Sequence, residues 1–221
     1  MKNANLLIAL IIIFVLLLGI KSSYYDRQEQ EKHPSVNDVA IRPDDMLRNA
    51  MHYYRDYGQH LTAIDFINRA ISTMRIIEKD MDSTSNHIIE TTITDLQSLI
   101  VEFEEEHVDE VHMEHAFANA MNSLAFAQLR VSEKYLAQGL DDDAAAATKY
   151  AFKHLLTAMY FSEAAELEAE RHVMEMIKGL ELDDDMGDPA VRQVLHSAVL
   201  ELDDLLAASQ VIPEKIPEDQ L

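Results

Sequence analysis

Ile64, Ile67, Ala70, Ile71, Met74, Ile77 and Met81 recur mostly three and four residues apart, the spacing at which an α-helix turns one face toward a core. The pattern returns in Phe117, Met121, Leu124, Leu129 and Leu136, and again in Val191, Val194, Leu195, Ala198, Leu202, Leu205 and Leu206. No run of alternating β-branched residues lies between turn signals, so nothing supports a strand. Only five glycines and five prolines punctuate 221 residues, and Ala, Leu, Met, Glu and Gln dominate from Asp44 onward. The chain is expected to be all-α.

Local chemistry marks where helices begin and end. Pro43 with Asp44 and Asp45 starts the first, and Gly58 interrupts it. A second runs from about His60 to the DSTSN stretch at 82–86. The third is expected from His87 to about Glu106, capped by Ser85 or Asn86. Asp109 caps a fourth that reaches Gly139. Asp141, Asp142 and Asp143 suit the positive end of a fifth helix expected to continue to about Lys178, roughly 55 Å long at the helical rise. Asp188 and Pro189 open the last.

Two of these segments repeat one another. Tyr54/Tyr135, Gly58/Gly139, Ala63/Ala144 and Ala70/Ala151 are related by a constant offset of 81 residues. Physically this is a helical hairpin: a Tyr packs in the first helix, Gly allows the turn, and paired alanines let the second helix approach closely. The spacing resembles the tetratricopeptide repeat, a helix–turn–helix family, over about 44–75 and 122–156. In the first window Leu47, Ala50 and Met51 stand where that family has Trp, Leu and Gly, Tyr54 matches, and Ala63 with Ile67 mimics its Ala–Phe pair. Arg75 and Leu156 replace its proline, and Thr148 replaces its second aromatic. The resemblance implies a protein-binding scaffold whose hairpin grooves would present Tyr54, Tyr57, Tyr135 and Tyr150 to a partner. An ordinary antiparallel bundle, in which small residues recur because helices must pack, is the alternative architecture.

Ahead of the helical domain, expected over 44–208, Leu6 to Ile20 is an unbroken apolar run between Lys2 and Lys21. Its fifteen residues rise roughly 22 Å, short of a ~30 Å hydrocarbon core unless Ala4, Asn5 and snorkelling lysines complete the span. Residues 1–21 are therefore expected to be a single-pass anchor or uncleaved signal, 22–43 a polar spacer, and 209–221 an extended tail with two prolines. The Lys-bearing start favours an extracytoplasmic body. Lys21, Arg27 and Lys32 on the far flank argue for the cytoplasmic side, which stays as the alternative to the expected extracytoplasmic (periplasmic) body.

With 40 acidic against 18 basic residues and a net charge of −22, the chain repels phosphate backbones and anionic headgroups. Nucleic acid is not an expected partner; the charge reads first as a source of solubility, and alternatively as attraction of cations or of a basic protein partner. The absence of cysteine removes disulfides, thiolate catalysis and Cys-bound zinc. No phosphate-cradling or GxSxG motif occurs, so no catalytic residue is assigned and no cofactor is required.

One acidic, histidine-bearing stretch, residues 102–115, raises a second possibility. If the third, fourth and fifth helices are antiparallel neighbours, His107, His112, His115, Glu168 and His172 gather at one end of the bundle. Imidazole and carboxylate donors there would suit a divalent transition metal, and His112 and His115, three apart, share a helical face. The competing reading is solvated histidines at helix ends. Three functions follow as expectations: a membrane-tethered, non-catalytic adaptor; a metal-binding bundle; or a structural spacer that forms a homo-oligomer through the long fifth helix.

Overall fold

The computed structural model describes residues 39–162, 164–180, 186 and 188–209. The expected anchor, nearly all of the spacer and the proline-bearing tail lie outside the described residues. From Ala40 onward the described chain is helical: α1 (Arg42–Tyr57), α2 (His60–Ile77), a 3-10 turn (Glu78–Asp80), α3 (Ser83–Glu104), α4 (Glu110–Gln138), α5 (Asp141–Phe161), α6 (Ala164–Leu180) and α7 (Pro189–Ser209). Among these described residues there is no strand. None of the described helices is long and apolar enough to cross a membrane.

Both glycine turns form as the sequence requires. Gly58 (φ 62°, ψ 27°) and Gly139 (φ 72°, ψ 28°) take left-handed backbone at the ends of α1 and α4, where a side chain would be strained. The amides after them, of Gln59 and Leu140, reach back to the Tyr53 and Tyr135 carbonyls at 3.0 Å. Ala63, Ala70, Ala144 and Ala151 are all fully buried. The sequence repeat is thus a repeat of structure, with α1–α2 and α4–α5 as closely packed antiparallel hairpins.

Each helix packs on the next, and α4 also meets α7 and α1. That position explains its composition. From Ala116 to Leu129 every residue except Asn119 is buried, so α4 is apolar or small nearly all round, as a helix enclosed by neighbours must be. Its buried hydroxyls are paired: those of Ser123 and Thr92 of α3 lie 2.7 Å apart, and Ser132 donates to the Ala144 carbonyl of α5 at 2.9 Å. Leu129, Val173, Ile177, Leu195, Ala198 and Leu202 join α4, α6 and α7 in one apolar cluster.

Two expected boundaries move. The third helix begins at Ser83 rather than His87, because Asp82 Oδ1 accepts from the Thr84 and Ser85 amides at 3.0 Å and so satisfies two of the donors that a helix start leaves free. The expected long fifth helix is two helices. Ser162 turns to extended backbone (φ −76°, ψ 146°), and its hydroxyl and amide both return to the Ala158 carbonyl at 3.0 Å. The chain then folds back, so that α6 packs along α5 and against α7.

Candidate functional site

Short connections place the last turns of α1, α3 and α5 at the same end as the first turns of α2, α4 and α6. Cross-contacts fix this end. Arg55 of α1 reaches Glu114 of α4 at 2.6 Å, Tyr54 sets its ring edge-on to His60 of α2 and Phe103 of α3, and Phe117 of α4 meets Phe161 of α5.

Here α3 lends two carboxylates, Asp95 and Glu102, seven residues apart and so on one face two turns along. His112, in the first turn of α4, fills the space between them: Nδ1 donates to Glu102 Oε1 at 2.6 Å and Nε2 to Asp95 Oδ1 at 3.1 Å. The Asp95 hydrogen bond, helped by Glu102, outweighs the effect of burial and pushes the imidazole up to about 9. One turn on, His115 lies 3.3 Å from Glu166 in the first turn of α6, and that carboxylate raises the titration of His115 above its usual value. Farther in, Glu170 is fully buried. Its Oε1 accepts from Asn122 Nδ2 at 2.7 Å and from the Ser162 hydroxyl at 2.6 Å, while Glu170 Oε2 and Asn122 Oδ1 have no hydrogen-bond partner among the described residues. Burial, with repulsion from Glu166 added, holds this carboxyl above the ordinary range.

Of the five histidine and glutamate positions expected to converge, His112 and His115 do so. His107 turns back to bond the carbonyl of Glu105, two residues before it. Glu168 is exposed and pairs with Arg171, and His172 faces Glu201 of α7 at 3.5 Å. The helix break is the reason: with α6 running back along α5, Glu166 rather than a residue near 169 comes level with the start of α4. A protonated His112 held by two carboxylates has no lone pair to offer a metal or a substrate proton. Among the described residues no group of three His, Asp or Glu side chains is placed to hold a metal ion.

The four expected partner-binding tyrosines do not share one surface. Tyr54 is half-buried in the α1–α2–α3 packing described above, and burial raises its hydroxyl titration. Tyr135 packs partly buried on the α4–α7 cluster, and Tyr150 lies half-buried beneath the Lys153 ammonium at 5.7 Å. Tyr57 alone of the four is exposed, at 59%. It stands in a row of rings with His52 and Tyr53, and Tyr53 stacks on Phe66 at 5.4 Å.

A separate cleft of about 250 Å³ lies between α1 and α5, lined by Ile41, Asp44, Asp45, Arg48, Lys153, Leu156 and Thr157. It falls below the roughly 300–1,000 Å³ usual for small-molecule sites. Asp44 also accepts from the fully buried His154 Nδ1 at 2.8 Å. No protein-family model, curated protein or solved structure matches this chain.

Proposed function

We propose that this protein is a membrane-tethered, non-catalytic scaffold that holds another protein against its helical hairpins. The observation that carries the reading is the duplicated hairpin: two glycine-turned helix pairs with buried alanines, whose spacing resembles tetratricopeptide units, beside an exposed aromatic row at Tyr57. Such scaffolds bind by apolar contact along helical surfaces. The apolar segment at residues 6–20 supplies the tether, with the body on the extracytoplasmic side. Charge contributes as well, since a net −22 favours encounter with basic partners.

Photo-crosslinking from position 57 in the full chain, in intact membranes, tests this reading. Specific adducts from Tyr57 and none from Tyr135 are expected. Equal adduct patterns from the two positions, or none from either, would remove the scaffold reading.

A second reading rests on a different observation, the gathering of His112, His115, Asp95, Glu102 and Glu166 at one end. Since no three of these side chains are already placed to hold an ion, a divalent transition metal would have to displace the proton of His112 and its two carboxylate bonds and draw His115 and Glu166 toward it. Elemental analysis of chelator-free protein, with a His112→Ala/His115→Ala variant as control, would find about one ion per chain if it holds.

A further inference from the structure

Apolar exposure is unevenly distributed over the helices. Of nine large exposed apolar side chains among the described residues, five belong to the turns that form one end of the bundle: Tyr57, Leu61, Val101, Val111 and Tyr160. They come from five helices, α1 to α5. Leu61 is 83% exposed and Tyr160 65%, far more than core packing leaves to such residues. Arg55 ties three of these helices together, bonded to Glu114 and lying within electrostatic reach of Tyr160. Gathered exposure at one end is what an interaction surface requires, where single scattered apolar residues would need no explanation.

The same end says what would cover it. Glu104, Glu105, Glu106, Asp109 and Glu110 are all exposed within seven residues of the α3–α4 connection. Among the described residues Arg55 pairs with Glu114 and, more distantly, with Glu110, and His112 is held by Asp95 and Glu102. This end therefore carries net negative charge alongside its exposed apolar side chains. An anionic lipid surface would be repelled, and a second copy of a chain with net charge −22 would bring the same sign to the contact.

We infer that this end of the bundle docks a basic amphipathic helix of a partner protein, its apolar face on Tyr57, Leu61, Val111 and Tyr160 and its Lys or Arg residues on the α3–α4 carboxylates. The inference rests on the scaffold reading and specifies the surface and the partner chemistry within it. Apolar anchors supply affinity in such helix-in-groove contacts, and the charged rim sets orientation and encounter rate.

The test uses the full chain in phosphatidylcholine nanodiscs and an 18-residue synthetic helix with Leu on one face and Lys on the other. Micromolar binding that weakens with salt is expected. A Leu61→Ser/Tyr160→Ser variant should lose at least tenfold in affinity with unchanged helicity, and Leu200→Ser, exposed on α7, should lose none. A Glu104→Gln/Glu105→Gln/Glu106→Gln variant should flatten the salt dependence. Equal binding of a peptide with Glu in place of Lys would overturn the inference. So would equal loss in Leu200→Ser, no loss in the Leu61/Tyr160 variant, or preferential binding to phosphatidylserine vesicles. Crosslinks from Tyr57 to a protein without a basic helical segment would overturn it while leaving the scaffold reading in place.

Discussion

Asn122 donates to Glu170 Oε1 across 2.7 Å, joining the enclosed helix α4 to α6 at a point where both residues are almost wholly withdrawn from water. Burial raises the Glu170 carboxyl above its ordinary value of 4.5. A group raised in the folded state contributes stability that is complete below its unfolded value and lost as pH climbs through the folded one. Glu170→Gln keeps the shape and cannot ionise. This variant should therefore match the parent below pH 4.5 and increasingly exceed it as pH rises, in urea melts. Glu170→Ala instead strands Asn122 and should lose about 1–3 kcal/mol. A Gln variant with the parent's pH dependence would show that Glu170 does not titrate in the fold.

His112 gives a second pH window with the same sign. Its imidazole rises from 6.5 to about 9, so its contribution is full below 6.5 and disappears between 6.5 and about 9. The side chain is partly exposed, and screening brings the effect down to roughly 1 kcal/mol. Thermal melts at pH 6 and pH 9.5 should separate by a few degrees in the parent. In His112→Ala that separation shrinks, and stability at pH 6 falls because Asp95 and Glu102 lose the cation between them.

The two hairpins should respond alike to matched substitutions. Gly58→Ala and Gly139→Ala meet no atom within 4 Å, so only backbone strain acts and each should cost about 1 kcal/mol. Ala70→Leu and Ala151→Leu enlarge fully buried positions and should cost about 1–3 kcal/mol. Chemical denaturation of the four variants measures this, and tolerance at either alanine would mean that the helices there are not in close approach.

Glu106 offers a stabilising change. It takes left-handed backbone (φ 58°) just past α3, where the His107 amide returns to the Glu102 carbonyl at 3.0 Å. Glycine adopts that conformation freely. Glu106→Gly should raise stability by up to about 1 kcal/mol, partly offset by the greater freedom of glycine in the unfolded chain. A lower Tm would show that the Glu106 side chain makes a contact worth more than its strain.

Most helix boundaries that rest on local chemistry are legible in the sequence, the Asp82 cap of α3 being the exception, hidden among the several capping residues of DSTSN. Pro43, Gly58, Asp109, Gly139 and Asp188 each act within one turn of themselves, and each stands where expected; Asp188 accepts from the Ala190 amide at 2.7 Å. The break at Ser162 is different, because YFSEAAEL holds neither Gly nor Pro and consists largely of helix formers. What bends the chain there is the packing available to α6 against α5 and α7, a tertiary cause. The candidate site inherited that difficulty. His112 and His115 were visible as a pair on one helical face, but Asp95, Glu102, Glu166 and Glu170 are a few among 40 acidic residues, distinguished only by what they face.

The contact between Asp44 and His154 spans 110 residues and is buried at both ends. At ribosomal rates of about 5–20 residues per second, roughly 5–20 s separate the appearance of the two partners. During that interval the first hairpin can already close through its own turn at Gly58, while Asp44 waits in solvent for α5. The opening helix of the domain is thus among the first to be made and among the last to be seated, and a nascent chain stalled before His154 would carry an unfinished face at its own beginning.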